Sequence, residues 1–359
     1  MIRRRPAGRS LPAVDTAPIR SEERFDEARV AAYLHRHLAD VVGDAPFVFA
    51  QFPGGRANLT YHVRAGEVEL VLRRPPLGPV APGSHDMARE HAVLSVLYRA
   101  YPKAPRAFLL CPDPEVMGAP FFVMERRCGT VVREAWPAAL PADDAFRLRL
   151  ATNVVEALAE LHRVDYRALG LEGLGRPDGF VARQVAGWVD RWNRAKHEDV
   201  AAMEELGEWF PGAIPTPQAA VLLHNDFKLD NLMISDRAEV VAVFDWDMAT
   251  IGDPLVDLGT FLAYSPRPQE ALHALQGDSG TALSTAMSRE EMVGRYAAAT
   301  GFDTEGLDYY LAFAMYRTAV ILQQIYIRYR RGQTSDERFG PLGDLVPQVA
   351  DEAWRLVGG

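Results

Sequence analysis

The chain has 359 residues, of which 48% are hydrophobic and 24% are charged, and these values predict a globular protein of two or three domains. The net charge of −9 excludes a typical nucleic-acid binder, which needs a basic surface, and no apolar run is long enough to span a membrane. The two cysteines, Cys111 and Cys128, lack metal-ligand or disulfide-framework spacing, so a reducing cytoplasm is the expected location.

The N-terminal part of the chain predicts an arm followed by a sheet. Residues 1–20 are rich in arginine and lack an apolar stretch, so we expect a flexible arm and not a secretory signal. Runs of β-branched and aromatic residues then predict antiparallel strands at Phe47–Phe52, Leu59–Arg64, Val68–Arg73, Ala107–Cys111 and Pro120–Glu125. One helix is predicted among them, with Ser84 as its N-cap and Ala100 near its end.

The pattern changes after Glu125, where helical periodicity replaces strand-like runs. Amphipathic spacing predicts helices at Asp143–Val164, Phe180–His197, Ala201–Phe210, Ser288–Thr300 and Leu307–Arg331. The fold class is therefore α+β with two lobes. An antiparallel sheet lobe with one helix is expected at residues 21–125, and a larger, mostly helical lobe at residues 126–359.

The string GGRAN between the first two predicted strands is a candidate phosphate loop. Gly54 and Gly55 would let backbone N–H groups close over the phosphates of a nucleotide, with Asn58 at the end of the string. A simple hairpin turn, which also favours glycine, is the alternative. At the end of the fifth strand, backbone groups of Met124 and Glu125 are expected to hydrogen-bond the edge of an adenine ring.

Arg73 ends the third predicted strand, where kinases carry a lysine that binds the α- and β-phosphates of ATP. A guanidinium group can bind phosphates with two hydrogen bonds. Glu90, midway along the predicted helix, is the carboxylate expected to pair with Arg73, although a solvated helix residue is the alternative. The neighbouring Arg74 is interpreted as surface charge.

The segment His224–Asn231, with the sequence HNDFKLDN, carries the spacing H-x-D-x-x-x-x-N, and Asp245 follows Asn231 by fourteen residues. Phosphoryl transfer uses this spacing, because it needs Mg²⁺ held by oxygen ligands and a carboxylate that orients the attacking hydroxyl. Asp226 is therefore predicted to be the catalytic base, and Asn231 and Asp245 to bind Mg²⁺. A turn between two strands is the alternative, but it explains neither the interval nor the apolar flanks.

Lys228 supports this interpretation. Only three of the 39 basic residues are lysines, and one of them lies two positions after the predicted base. A compact ammonium group there can neutralise the transferred phosphate. For three later acidic residues, Asp247, Asp253 and Asp257, a structural role is preferred to a catalytic one. Asp253 is expected to start a turn or helix, and Asp257 to brace the catalytic loop.

Seven strings together resemble the aminoglycoside phosphotransferase and choline kinase family over residues 45–340, and are most similar to its branch linked to acyl-CoA dehydrogenases. The strings are GGRANLTYHV, LVLRRPP, REHAVLSVL, PFFVMER, LHRVDY, LGRPDGFVARQVAGW and FDWDMATIGDPLVDLG. The resemblance implies a protein-kinase-like fold, ATP and Mg²⁺ as cofactors, and the same roles for Asp226, Asn231 and Asp245. One departure is Asn225, because the family usually has glycine after the catalytic histidine.

The predicted function is an ATP-dependent kinase of a small-molecule hydroxyl, with a hydroxyacyl or hydroxy-acid acceptor and a functional link to an acyl-CoA dehydrogenase. Arg183, Arg317 and Arg328 are the residues expected to pair with a negative group of that acceptor. Two alternatives stay open. One is an aminoglycoside or choline kinase, and the other is a catalytically weak, nucleotide-binding partner of a dehydrogenase.

Overall fold

The structure, a computed structural model, describes residues 16–53, 58–78, 86–133 and 135–358. These residues form two compact units. The first contains the described residues up to Cys128 together with Ala242–Met248, and the second contains Gly129–Val241 and the described residues from Ala249 onward. The segment that carries Asp245 is therefore part of the same unit as the N-terminal sheet.

A five-stranded antiparallel sheet forms the centre of the first unit. Its strands are β1 (Phe47–Gln51), β2 (Leu59–Ala65), β3 (Val68–Arg74), β4 (Ala107–Cys111) and β5 (Phe121–Glu125), in the order β1-β2-β3-β5-β4. In β2, Leu59, Tyr61 and Val63 alternate with more exposed residues and are buried, as expected for a strand with one face on the core. All five predicted strands are confirmed.

The first unit contains helices that the sequence analysis did not predict. The longer one, α1 (Glu27–Val42), buries Val30, Leu34, Leu38 and Val42 in the same core cluster as the sheet residues. These four residues recur every fourth position, so the amphipathic signal was present in the sequence. A short helix, α3 (Pro114–Met117), follows β4.

The helix predicted from Ser84 begins later, because a different residue caps it. Asp86 is the N-cap of α2 (Met87–Leu97), and its side chain accepts hydrogen bonds from the backbone N–H groups of Ala88 and Arg89, both at 3.0 Å. Ser84 lies outside the described residues. This start places Glu90 in the first turn with its side chain buried.

Two expectations for this unit are wrong. Arg74 is not surface charge: it is buried, and its guanidinium group donates hydrogen bonds to the carbonyl oxygens of Met117 and Glu23 and to the hydroxyl of Tyr61. It can be buried because all three acceptors belong to the same unit.

The flexible arm cannot extend to residue 20, because Ala17 pairs with Gln51 of β1 and Ile19 is buried. Residues 1–15 of that arm lie outside the described residues.

The second unit is mostly helical. Its helices are α4 (Asp144–His162), α5 (Phe180–Ala195), α6 (Ala201–Trp209), α7 (Pro254–Ala263), α8 (His273–Thr281), α9 (Arg289–Thr300), α10 (Leu307–Arg330) and α11 (Leu342–Val357). The five helices predicted after Asp143 are confirmed as α4, α5, α6, α9 and α10. Helix α10 packs against α5, α7 and α11 and is the centre of this unit.

Short strands flank the predicted catalytic loop in the second unit. They are β6 (Thr130–Val131), β7 (Val221–Leu223), β8 (Leu232–Ile234) and β10 (Thr250–Gly252). Strand β9 (Val240–Val243) follows β8 and leads into the segment that belongs to the first unit. Strand β7 pairs with β10, and β6 pairs with β8, so the loop is fixed at both of its ends. Within the described residues, no helix has the length and apolarity required to cross a membrane.

Candidate active site

The loop between β7 and β8 holds the predicted catalytic base in a defined orientation. The side-chain Nδ2 of Asn231 donates to the backbone oxygen of Asp226 and to its carboxylate Oδ2, both at 2.9 Å. A short 3₁₀ turn, Leu229–Asn231, brings the two residues together. Asp226 remains partly exposed, with 22% of its side chain accessible, so one face of the base is open to a substrate.

Lys228 forms an ion pair with this base. Its Nζ lies 3.0 Å from Asp226 Oδ2 and 4.8 Å from the centre of the Tyr264 ring. Burial lowers the pKa of Lys228, but Asp226, Tyr264 and Asp230 together outweigh burial, and the pKa is raised overall. The ammonium group therefore stays charged beside the base.

Asp257 braces the catalytic loop, as the sequence analysis expected. Its Oδ2 accepts a hydrogen bond from the backbone N–H of His224 at 2.6 Å, and its Oδ1 accepts one from Asn225 at 2.7 Å. Asp253 starts α7 as its N-cap and accepts a hydrogen bond from Tyr310. Both residues are buried and structural.

The sequence analysis missed the residues that support Asp257. The Nε2 of His162 on α4 lies 3.3 Å from Asp257 Oδ2, and its Nδ1 lies 2.6 Å from the hydroxyl of Tyr296 on α9. All three side chains are buried. His162 belongs to the string LHRVDY, but a buried histidine in an amphipathic helix carries no signal of its partner 95 residues away.

In the first unit, Arg73 is the centre of a second cluster. Its Nε lies 3.2 Å from Glu90 Oε2, and its Nη2 donates to Asp245 Oδ1. Arg73 and Glu90 are both buried. The structure thus brings together three residues that the sequence assigned to nucleotide and metal binding, and the predicted contact between Arg73 and Glu90 is present.

The charges of this cluster depend on one another. Burial lowers the pKa of Arg73, but Glu90 and Asp245 outweigh burial and raise its pKa overall. Burial, together with the nearby Asp245 and Asp247, raises the pKa of Glu90 to about 7, although Arg73 opposes the shift. Arg73 is therefore a permanent cation that balances the nearby carboxyl groups.

Asp245 occupies an unusual backbone position. It has φ of 69°, in the left-handed region that a residue other than glycine rarely adopts. The neighbouring residues are fixed: the N–H of Val243 donates to the carbonyl of Lys103 at 2.9 Å, and the indole of the buried Trp246 donates to the carbonyl of Val243 at 2.8 Å. Such strain is frequent at functional sites.

The other predicted nucleotide residues are less fully described. Gly54 and Gly55 lie outside the described residues, and Asn58 is buried at the start of β2. Met124 is buried in β5. The N–H of Glu125 donates to the carbonyl of Arg106 at 2.8 Å, so this donor is used within the sheet and is not free for an adenine ring.

The three arginines proposed for the acceptor have different environments. Arg183 donates to the carbonyl oxygens of Asp178 and Arg176, and Arg328 is exposed near the end of α10. Arg317 is buried in α10 and donates to Asn225, the residue before the base. Only Arg317 is therefore held at the catalytic loop.

Each unit supplies an oxygen ligand of the kind that Mg²⁺ prefers. In the second unit, Asn231 uses its Nδ2 for Asp226, so its amide Oδ1 is the atom suited to bind a cation. In the first unit, Asp245 supplies a carboxylate. Among the described residues, no three His, Cys, Asp or Glu side chains group into a metal site. A magnesium site completed by nucleotide phosphates and water does not need such a group.

The chain is similar to a known protein family and to longer curated proteins. The model of the phosphotransferase enzyme family matches residues 48–309, more than half of the chain. Human acyl-CoA dehydrogenase family member 11 is 32% identical over 349 residues, which cover 95% of this chain and 44% of the human protein. The chicken protein of the same name is 33% identical over 352 residues, with 95% and 44% covered. The chain therefore spans less than half the length of these relatives.

Solved structures share the fold. A protein of Ralstonia eutropha, provisionally assigned as an aminoglycoside phosphotransferase, has a TM-score of 0.78 and 29% identity, with 93% of this chain and 98% of that chain covered. An aminoglycoside phosphotransferase in a complex with AMP-PNP and hygromycin B has a TM-score of 0.57 and 15% identity, with 91% and 99% covered. These similarities confirm the predicted kinase-like fold.

Proposed function

Because the chain belongs to the phosphotransferase enzyme family, we propose that it is a kinase that uses ATP and Mg²⁺ to phosphorylate a hydroxyl group of a small molecule. The observation that carries this proposal is the geometry of the catalytic loop. Asp226 is oriented by Asn231, partly open to solvent, and paired with the charged Lys228. A general base needs such orientation, because proton transfer depends first on its position.

Each residue of the loop has a distinct role in the proposed reaction. Asp226 accepts the proton of the acceptor hydroxyl as the hydroxyl oxygen attacks the γ-phosphorus of ATP. The bond between this phosphorus and the β,γ-bridging oxygen breaks, and ADP leaves. Lys228 neutralises the negative charge that develops on the transferred group. Asn231 Oδ1 and the carboxylate of Asp245 would hold Mg²⁺, which when bound balances the charge of the phosphates.

The nucleotide is proposed to bind to the first unit. Arg73, fixed by Glu90, supplies the cation for the α- and β-phosphates, where its fork of N–H groups can bind two oxygens. Gly54, Gly55 and Asn58 remain the proposed phosphate loop. Met124 and Glu125 remain the proposed backbone contacts of the adenine edge.

The acceptor is proposed to be a hydroxyl group on an acyl or carboxylate-bearing molecule. The chain resembles proteins named acyl-CoA dehydrogenase family members over 95% of its length, so a functional link to acyl substrates is the simplest explanation. The surroundings of the base agree with this, because two cations, Lys228 and Arg317, lie at the catalytic loop. Positive charge there disfavours a polycationic acceptor.

A second candidate is an aminoglycoside kinase, because a structure of that class with a bound antibiotic has the same fold. Initial rates of ATP consumption with four acceptor classes distinguish the two: hydroxy acids, hydroxyacyl-CoA thioesters, choline and aminoglycosides. We expect the highest kcat/KM for a hydroxyacyl or hydroxy-acid compound. Efficient phosphorylation of the cations, with no activity on any hydroxyacyl compound, would reassign the acceptor class.

A further inference from the structure

Asn225 lies immediately before the catalytic base in an unusual conformation. Its φ is 69°, in the left-handed region, and its side chain is buried. Asparagine tolerates this region better than most residues, but glycine adopts it without cost. A buried asparagine at such a position needs partners for its side chain and for its backbone, since unpaired buried polar groups are costly.

One side chain, Arg317, contacts both oxygens of this residue. Its Nη1 lies 3.4 Å from Asn225 Oδ1, and its Nη2 lies 3.3 Å from the backbone oxygen of Asn225. Asp257 Oδ1 accepts a hydrogen bond from the N–H of Asn225 at 2.7 Å. The backbone directly before Asp226 is thus held through its donor and through its acceptor.

Arg317 is a buried cation that forms no ion pair with a carboxylate among the described residues. Its charge is stabilised by the ring of Trp188, 5.4 Å from the guanidinium carbon, and by the more distant charges of Asp226 and Asp257, but burial outweighs them and lowers its pKa. Keeping an arginine in such an environment is costly, which indicates a purpose beyond packing. Within the described part of the chain, its hydrogen bonds go to Asn225 in the catalytic loop.

We propose that Arg317 is a positioning residue, which fixes the orientation of the Asp226 carboxylate by holding both oxygens of Asn225. This inference rests on the proposed function, because it assigns Asp226 as the base. It differs from the sequence-based expectation, in which Arg317 binds a negative group of the acceptor. A glycine at this position would adopt the loop conformation freely. In this chain, the contacts between Asn225 and Arg317 would hold the loop in that conformation.

The test is a comparison of steady-state kinetics for Arg317→Gln, Arg317→Lys and Asn225→Gly. A small misplacement of a catalytic group can reduce turnover about 100-fold, so we expect Arg317→Gln to lower kcat about 10- to 100-fold. The KM values for ATP and acceptor should change by less than about threefold, because the substitution removes no substrate contact. Arg317→Lys, which keeps one donor, should recover part of the lost kcat.

Asn225→Gly provides a double-mutant cycle with Arg317→Gln. If the arginine acts through Asn225, the two substitutions together should cost less than the product of their separate effects. Arg191→Gln is the matched control, since Arg191 is exposed and stacks on the same Trp188 ring at 4.4 Å, and its kcat should equal that of the wild type. Strictly independent effects of the two substitutions would overturn the proposal.

Two further outcomes contradict the inference. A raised acceptor KM with unchanged kcat for Arg317→Gln would make Arg317 an acceptor-binding residue. A lowered Tm with unchanged kcat of the folded protein would give it a structural role alone.

Amide hydrogen exchange of residues 221–232 in the ligand-free protein separates this proposal from the proposed function. Faster exchange in Arg317→Gln is expected even if no acceptor is phosphorylated, and unchanged exchange would count against the positioning role.

Discussion

Replacing Asp226 with asparagine should nearly abolish phosphoryl transfer and leave ATP binding intact. The carboxylate is held at the catalytic loop by Asn231 and faces solvent on its open side, so its loss removes the proton acceptor for the substrate hydroxyl. General bases contribute about 10²- to 10⁴-fold to rates, and we expect a loss of kcat in that range. The measurement is the initial rate with a saturating acceptor.

The control is Asp236→Asn, which changes an exposed carboxylate in the turn after β8 and should behave as the wild type. The Kd for Mg·ATP should agree for all three proteins within about a factor of three, because Asp226 is proposed to contact the acceptor and not the nucleotide. If Asp226→Asn kept more than about a tenth of the wild-type kcat, Asp226 could not be the base.

Asp245→Asn should have the opposite effect and weaken the binding of Mg·ATP itself. The substitution removes a proposed metal ligand and the partner of Arg73 Nη2. Groups that only support a metal ligand change metal affinity about 10- to 100-fold, so the Kd for Mg·ATP should rise by at least that factor. Thermal unfolding with a titration of ATP measures the change.

Magnesium provides the internal control for this variant. In the wild type, Mg·ATP at about 100 times its Kd should add about 2.7 kcal/mol to the free energy of unfolding. Omission of Mg²⁺ should remove most of this stabilisation in the wild type. In Asp245→Asn, ATP should stabilise the protein less, and omission of Mg²⁺ should change that smaller stabilisation little. Equal losses of nucleotide affinity in the Asp226 and Asp245 variants would show that the proposed division of roles is wrong.

Most elements with strong periodicity were predicted from the sequence, with α1 as an exception. All strands of the N-terminal sheet and the helices α4, α5, α6, α9 and α10 are present, because alternating or amphipathic spacing marks residues that must be buried. Helix α11 was missed although Val346, Val349 and Ala353 repeat at helical spacing; Pro347 lies inside it and normally argues against a helix.

The contacts of the candidate site were predicted where a motif supplies the spacing. The pairing of Arg73 with Glu90 and the brace formed by Asp257 followed from known arrangements of such residues. The contacts of Arg74, Arg317 and His162 could not be predicted. Each joins segments far apart in the chain, and an arginine or histidine in a periodic segment carries no information about its distant partner.

Direct detection of the product tests the central claim most clearly. The purified protein is incubated with ATP, Mg²⁺ and a panel of hydroxy acids and hydroxyacyl thioesters, and the acceptors are analysed by mass spectrometry and ³¹P NMR. We predict a phosphate ester on one of these hydroxyl groups, formed in equal amount with ADP and absent with Asp226→Asn. Binding of Mg·ATP without any phosphate ester, on these acceptors or on choline and aminoglycosides, would contradict a kinase and support a nucleotide-binding partner of a dehydrogenase.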